Sequence, residues 1–168
     1  MEMSGERTIK ADRATVWAAL INPDVLKECV PGAQEVTGSP EEGFEATVTQ
    51  KVGPVKATFK GAVSLSEMDE PNKLRLDGEG KGGAAGFAKG GATVTLTEVE
   101  EGTKLSYDVE AKVGGKLAQL GSRIVDGFAK KMADNFFANL ESVIEGPKDD
   151  DAPEEAEKKG WLKRMIKS

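Results

Sequence analysis

Few side chains in this sequence have the chemistry of a catalyst: among 168 residues there is no histidine and one cysteine, Cys29. Histidine is the usual general base near neutral pH and the commonest metal ligand, and serine or cysteine nucleophiles normally need it as a partner. The carboxylates Glu79, Asp108, Glu110 and Asp126 have no paired spacing that would set an acid against a base. One nucleotide-like signature is present. In GEGKGGAAGFAKGG, with seven glycines in fourteen residues, Gly78, Gly80 and Gly83 satisfy G-x-G-x-x-G. That signature holds a pyrophosphate only between a strand and a helix N-terminus, and here Gly91 leads into ATVTLTEV, another strand pattern. The segment reads instead as a glycine-rich strand end and hairpin, one lip of a cavity with Phe87 at its apolar tip. No catalytic residue, metal ligand or cofactor is expected.

The chemistry that remains is that of surfaces. Residues 148–157 carry six acids against one lysine, and residues 158–168 carry five bases and no acid. Wound as a helix at 100° per residue, KKGWLKRMIKS places Trp161, Leu162, Met165 and Ile166 within one arc of roughly 140°, with Lys163, Arg164 and Lys167 opposite. Together with Lys158 and Lys159 this is a segment suited to an anionic membrane surface. Each base near such a leaflet is worth about 1 kcal/mol. Ordering so short a segment is costly, so the expected attachment is weak and reversible, through a flexible acidic linker at 146–157. A solvated, solubilising C-terminus is the plainer alternative, against which Trp161 argues, since a flexible tail gains nothing from exposing a large aromatic.

A formal charge of −6 argues against nucleic acid as a partner, and a lone cysteine excludes a disulfide framework. The opening MEMSGERTIK lacks the pattern of a signal peptide and no apolar run nears eighteen residues. The expectation is a cytoplasmic protein attached peripherally to the inner face of the cytoplasmic membrane.

The elements that must position these residues begin with a strand at 3–10. A helix follows, N-capped by Asp12, with Val16, Trp17, Leu20 and Ile21 on one face. Asn22-Pro23 ends it and opens a second short helix, with Val25, Leu26 and Cys29 inward. From residue 33 the period changes to two. Strands are expected at 33–37, 44–52, 55–68, 74–81, 92–99 and 103–113, with Val55, Ala57, Phe59, Gly61, Val63 and Leu65 on one face and lysines and hydroxyls on the other. A helix over 116–144 carries an apolar stripe through Leu117, Leu120, Ile124, Phe128, Met132, Phe136, Leu140 and Val143. This order predicts an α+β helix-grip fold over residues 1–145, a curved antiparallel sheet around a long C-terminal helix.

Small residues on the sheet (Ala46, Ala57, Gly61, Gly78, Gly80) and Gly121 and Gly127 in the helix allow either close approach or empty volume. An apolar cavity of ligand size is expected there. Its predicted wall takes Phe44, Val48, Phe59, Leu74, Leu76, Phe87, Val94, Leu96, Leu105 and Tyr107 from the sheet, with the Tyr107 hydroxyl as a lone polar contact. The helix contributes Leu117, Leu120, Ile124, Phe128 and Met132. Lys112, Lys116, Arg123, Lys130 and Lys131 read as a solvated face, with electrostatic docking as the alternative.

The order of one strand, two helices, six strands and a long helix resembles the START / Bet v 1-like (SRPBCC) superfamily of hydrophobic-ligand proteins. More narrowly, VGGKLAQLGSRIVDGFAKKMADNFFANL at 113–140 resembles the carbon monoxide dehydrogenase G-subunit family. Segments 27–32 and 80–90 are similar to that family's as well. The resemblance covers residues 1–145 and implies a non-enzymatic accessory protein serving a molybdenum carbon monoxide dehydrogenase complex or a related hydroxylase. Several members carry a C-terminal membrane-binding segment, and the fold implies a lipid-like ligand, for which a membrane quinone is the leading expectation. No catalytic residue carries over. The same superfamily fold implies two alternatives: a polyketide cyclase or aromatase, for which the chain offers little inward polarity beyond Tyr107 and Glu79, and a protein–protein adaptor with a filled core.

Overall fold

The structure, a computed structural model, describes residues 1–145. The acidic linker expected at 146–157 and the basic tail expected at 158–168 lie outside the described residues.

Strand β1 (Glu2–Ile9) leads to helix α1 (Arg13–Leu20), whose N-terminus is capped by Asp12 accepting the Thr15 N–H at 2.8 Å. Asn22 caps α2 (Pro23–Cys29), where the proline occupies the first turn and loses no helical hydrogen bond. The chain then runs through β2 (Ala33–Ser39), β3 (Gly43–Val52), β4 (Val55–Asp69), β5 (Lys73–Lys81), a single 3-10 turn (Gly83–Ala85), β6 (Phe87–Val99) and β7 (Gly102–Gly114). It ends in α3 (Lys116–Gln119) and α4 (Ser122–Glu145). The seven strands form one antiparallel sheet in the order β1-β7-β6-β5-β4-β3-β2, curved around α4 in the helix-grip arrangement. The inward face of β4 alternates with its wet face as the sequence predicts.

Two elements differ from the sequence expectation. The glycine-rich stretch is strand from Phe87 onward and pairs with β7 throughout, because glycine permits a close approach there: a Cβ on Gly90 would stand 2.2 Å from the Glu110 carbonyl oxygen. The C-terminal helix is not continuous over 116–144. It breaks at Gly121, whose φ of +91° belongs to the left-handed region that ends helices.

The packed core is confined to one end of the molecule. Ile9, Val16, Trp17, Leu20, Leu74, Val94, Leu96 and Leu105 meet the last turns of α4 through Phe137, Leu140 and Val143. Asn139 Nδ2 donates to the Cys29 carbonyl at 2.9 Å, and Arg7 meets Glu141 at 2.7 Å, tying α4 to α2 and β1.

Candidate functional site: an apolar cavity between sheet and helix

The other half of α4 does not sink into the sheet. Val125, Phe128, Ala129, Met132, Ala133 and Phe136 are only half-buried, although they form the apolar stripe of an amphipathic helix. The floor beneath them includes the small residues Gly80, Ala88 and Ala111, and the register sets further glycines beside them: Gly61 pairs with Gly80, and Gly90 with Ala111. The result is a cavity of about 480 Å³. Its wall comprises Met1, Met3, Val48, Gln50, Val52, Phe59, Gly80, Ala88, Val109, Ala111 and Val113 from the sheet, Val30 and Pro31 after α2, and Leu117, Val125, Phe128, Ala129, Met132, Ala133, Phe136 and Phe137 from the helices.

Gln50 is the one lining residue with a polar side chain, and its amide donates to the Pro31 carbonyl. The Met1 ammonium donates to the Ala111 carbonyl at 3.0 Å. Both donors are therefore engaged by backbone acceptors, and what faces the empty volume is hydrocarbon and thioether.

Of the residues expected in the wall, Val48, Phe59, Leu117, Phe128 and Met132 line it. Leu74, Val94, Leu96 and Leu105 do not. They point inward, but from the stretch of each strand that the core occupies, and Leu76 packs against the same core. Phe44 is buried near the β2–β3 turn and also lies outside the lining. Tyr107 stacks on Phe137, ring centroids 4.7 Å apart, and covers Gly5, so its hydroxyl is not part of the wall. Phe87 sits on the outer face over Gly114 and is 40% exposed, which corrects its expected place at the lip. Glu79 likewise points outward, toward Lys81 at 3.6 Å. Leu120 and Ile124 lie against the turn at Gly53, and Ile124 is 39% exposed. The break at Gly121 resets the helix phase, so Val125 takes the inward position that the continuous stripe assigned to Ile124.

Sequence reasoning misses Met1 and Met3 at the start of the chain, the β7 trio Val109, Ala111 and Val113, and the alanines of α4. Alternation in Met1-Met3 and a period of four in Val125, Ala129 and Ala133 are the available signals. Cys29 is no nucleophile in waiting: it is buried, and burial first, then the Glu28 carboxylate, pushes its thiol up to about 12. Among the described residues, the one cation on the sheet with a strongly raised pKa is Arg75 on the outer face, held by Asp77 and Glu110.

Comparison with known proteins agrees with this architecture. A conserved protein from Geobacillus kaustophilus is 27% identical with a TM-score of 0.80, over 86% of this chain and 95% of that one. Proteins from Rhizobium leguminosarum (17% identity, TM-score 0.68, 88% and 95% covered) and Mycobacterium smegmatis (15%, 0.64, 88% and 93%) share the fold. No curated protein matches the chain. The model of one family, that of the carbon monoxide dehydrogenase G-subunit (CoxG), matches residues 5–145. With nearly the whole described chain inside that match, the protein belongs to the CoxG family of carbon monoxide dehydrogenase subunits.

Proposed function

We propose that this chain is a non-enzymatic accessory protein of a molybdenum carbon monoxide dehydrogenase or a related hydroxylase. It carries a lipid-like molecule, a membrane quinone, in the cavity under α4 and brings the enzyme to the cytoplasmic face of the membrane through residues 158–168. The observation that carries this reading is the 480 Å³ apolar cavity. Left empty, the cavity exposes an almost wholly hydrocarbon wall to solvent, at a cost of about 25 cal/mol per Å² of apolar surface. Filled with water, it offers the waters almost no polar partners. An apolar occupant avoids both costs. No lining side chain titrates near neutral pH, which favours carriage over catalysis, and among the described residues no helix is long and apolar enough to cross a membrane.

The choice of a quinone is supported by the partner the family name implies. A soluble dehydrogenase that feeds respiration must reach an electron carrier whose tail will not leave the bilayer unaided, since each exposed methylene costs about 0.8 kcal/mol. Mass spectrometry of organic extracts from the full chain, purified from its native host, is expected to find an isoprenoid quinone. Titration with a quinone, a phospholipid and a fatty acid is expected to rank the quinone first. Preference for the fatty acid or phospholipid leaves a lipid carrier and removes the electron-carrier role.

A further inference from the structure

Three turns close the end of the molecule that holds the cavity: Gly53-Pro54 between β3 and β4, residues 82–86 between β5 and β6, and the elbow at 115–121. They touch one another. A Cβ on Gly53 would lie 3.3 Å from Ile124 Cγ2, and one on Gly115 would lie 2.7 Å from Gly86 Cα. The segments that build this end, residues 46–66, 80–97 and 111–125, contain no acidic residue at all. Their tips carry Lys51, Lys56, Lys116 and Arg123, all exposed and, among the described residues, in no ion pair. Of the acids bordering these stretches at this end, Glu79 and Glu110 are held by Lys81 and Arg75, and the exposed Asp126 follows Arg123 by three residues in α4. The opposite end, beyond the packed core, is the reverse: its turns present Glu41 and Glu42, Asp69 and Glu70, and Glu100 and Glu101, all exposed. An acidic protein is thus polarised along its length, with positive charge gathered at the cavity. Among the described residues, two of the three exposed large apolar side chains, Phe87 and Ile124, stand at that same positive end.

We propose that this end is a docking face for an anionic bilayer, set by the folded domain itself and separate from residues 158–168. The inference rests on the carrier reading above and adds an orientation to it: the three turns lie on the headgroups, Phe87 and Ile124 enter the interface, and the cavity faces the lipid. A ligand passing between cavity and bilayer then crosses little water, which matters at about 0.8 kcal/mol per exposed methylene. Three of the four unpaired bases are lysines, flexible and strongly hydrated point charges. They suit the diffuse charge of a leaflet better than the fixed carboxylates of a protein.

The test uses the full chain with an environment-sensitive fluorophore on Ile124→Cys and, separately, on Glu101→Cys at the acidic end. The buried Cys29 does not compete for the label. With phosphatidylglycerol-containing vesicles the label at 124 is expected to shift to the blue and brighten, the label at 101 to stay unchanged, and neither to respond to pure phosphatidylcholine. Adding Lys51→Glu, Lys116→Glu and Arg123→Glu is expected to raise the lipid needed by at least about a hundredfold with the melting temperature unchanged. Co-sedimentation with vesicles while the label at 124 stays in water overturns the docking face and leaves the carrier reading standing. Failure to bind vesicles at all overturns both the face and membrane recruitment. A label shielded only by added dehydrogenase overturns the lipid and assigns the face to a protein.

Discussion

Gly80 makes space by lacking a side chain. It sits mid-strand in the cavity floor, and a Cβ built on it meets nothing nearer than Phe59 Cβ at 4.0 Å. Its φ is not in the left-handed region, so a larger residue fits the backbone and its side chain enters the void. Gly80→Leu is expected to keep or raise the stability of the ligand-free protein by about 1–2 kcal/mol through added apolar burial. The same change should lower quinone affinity at least about tenfold by removing a leucine's worth of volume. Thermal denaturation together with ligand titration checks both, and a destabilised variant that still binds would mean that the floor is packed against something else.

The two glycines of the C-terminal segment have opposite functions in their helices. Gly121 ends α3 with φ +91° and has open space where a Cβ would go. Gly121→Ala therefore costs backbone strain alone, about 1–2 kcal/mol. Gly127 lies inside α4, also with open space at its Cβ, and its φ is not left-handed. Gly127→Ala is expected to stabilise by about 1 kcal/mol. Urea midpoints shifting in opposite directions at unchanged slope would confirm this. Two equal gains would mean that the helix runs unbroken through residue 121. The break matters functionally because it frees the start of α4 from the phase of α3 and swings Val125, in place of Ile124, over the cavity.

At the scale of the molecule, the sheet and α4 are packed solid at one end and stand apart at the other. The packed half supplies the stability that the open half lacks. The tail at 158–168 lies outside the described residues and outside the family match at 5–145, and deleting it is expected to leave the melting temperature unchanged. On the proposed membrane role, the deletion also weakens binding to anionic vesicles by roughly the worth of five bases at about 1 kcal/mol each. Intact protein is expected to release as salt shortens the Debye length to about 3 Å at 1 M. Equal co-sedimentation of the two forms at every salt concentration would remove the tail from the mechanism. Retention by the truncated form of a weaker, salt-sensitive attachment is what the basic end of the domain predicts.

By itself the sequence determined the order of elements, the caps at Asp12 and Asn22, and which side of each strand faces inward, because these depend on neighbours two to four residues away. It also determined the charge of every segment, including the acid-free stretches whose common end only the fold brought to light. What it left undetermined was height along the sheet. Alternation marks Leu74, Leu96 and Leu105 as inward in the same way that it marks Val48 and Phe59, yet the first three fill the core and the last two line the cavity. That distinction belongs to the tertiary structure, because a cavity forms only where cross-strand register sets glycine beside glycine and alanine, and where the helix over them holds its distance. The phase of α4 was hidden for a related reason. A glycine within an apolar stripe can continue a helix at a cost of about 1 kcal/mol or end it in the left-handed region, and the spacing of the stripe is the same in both cases.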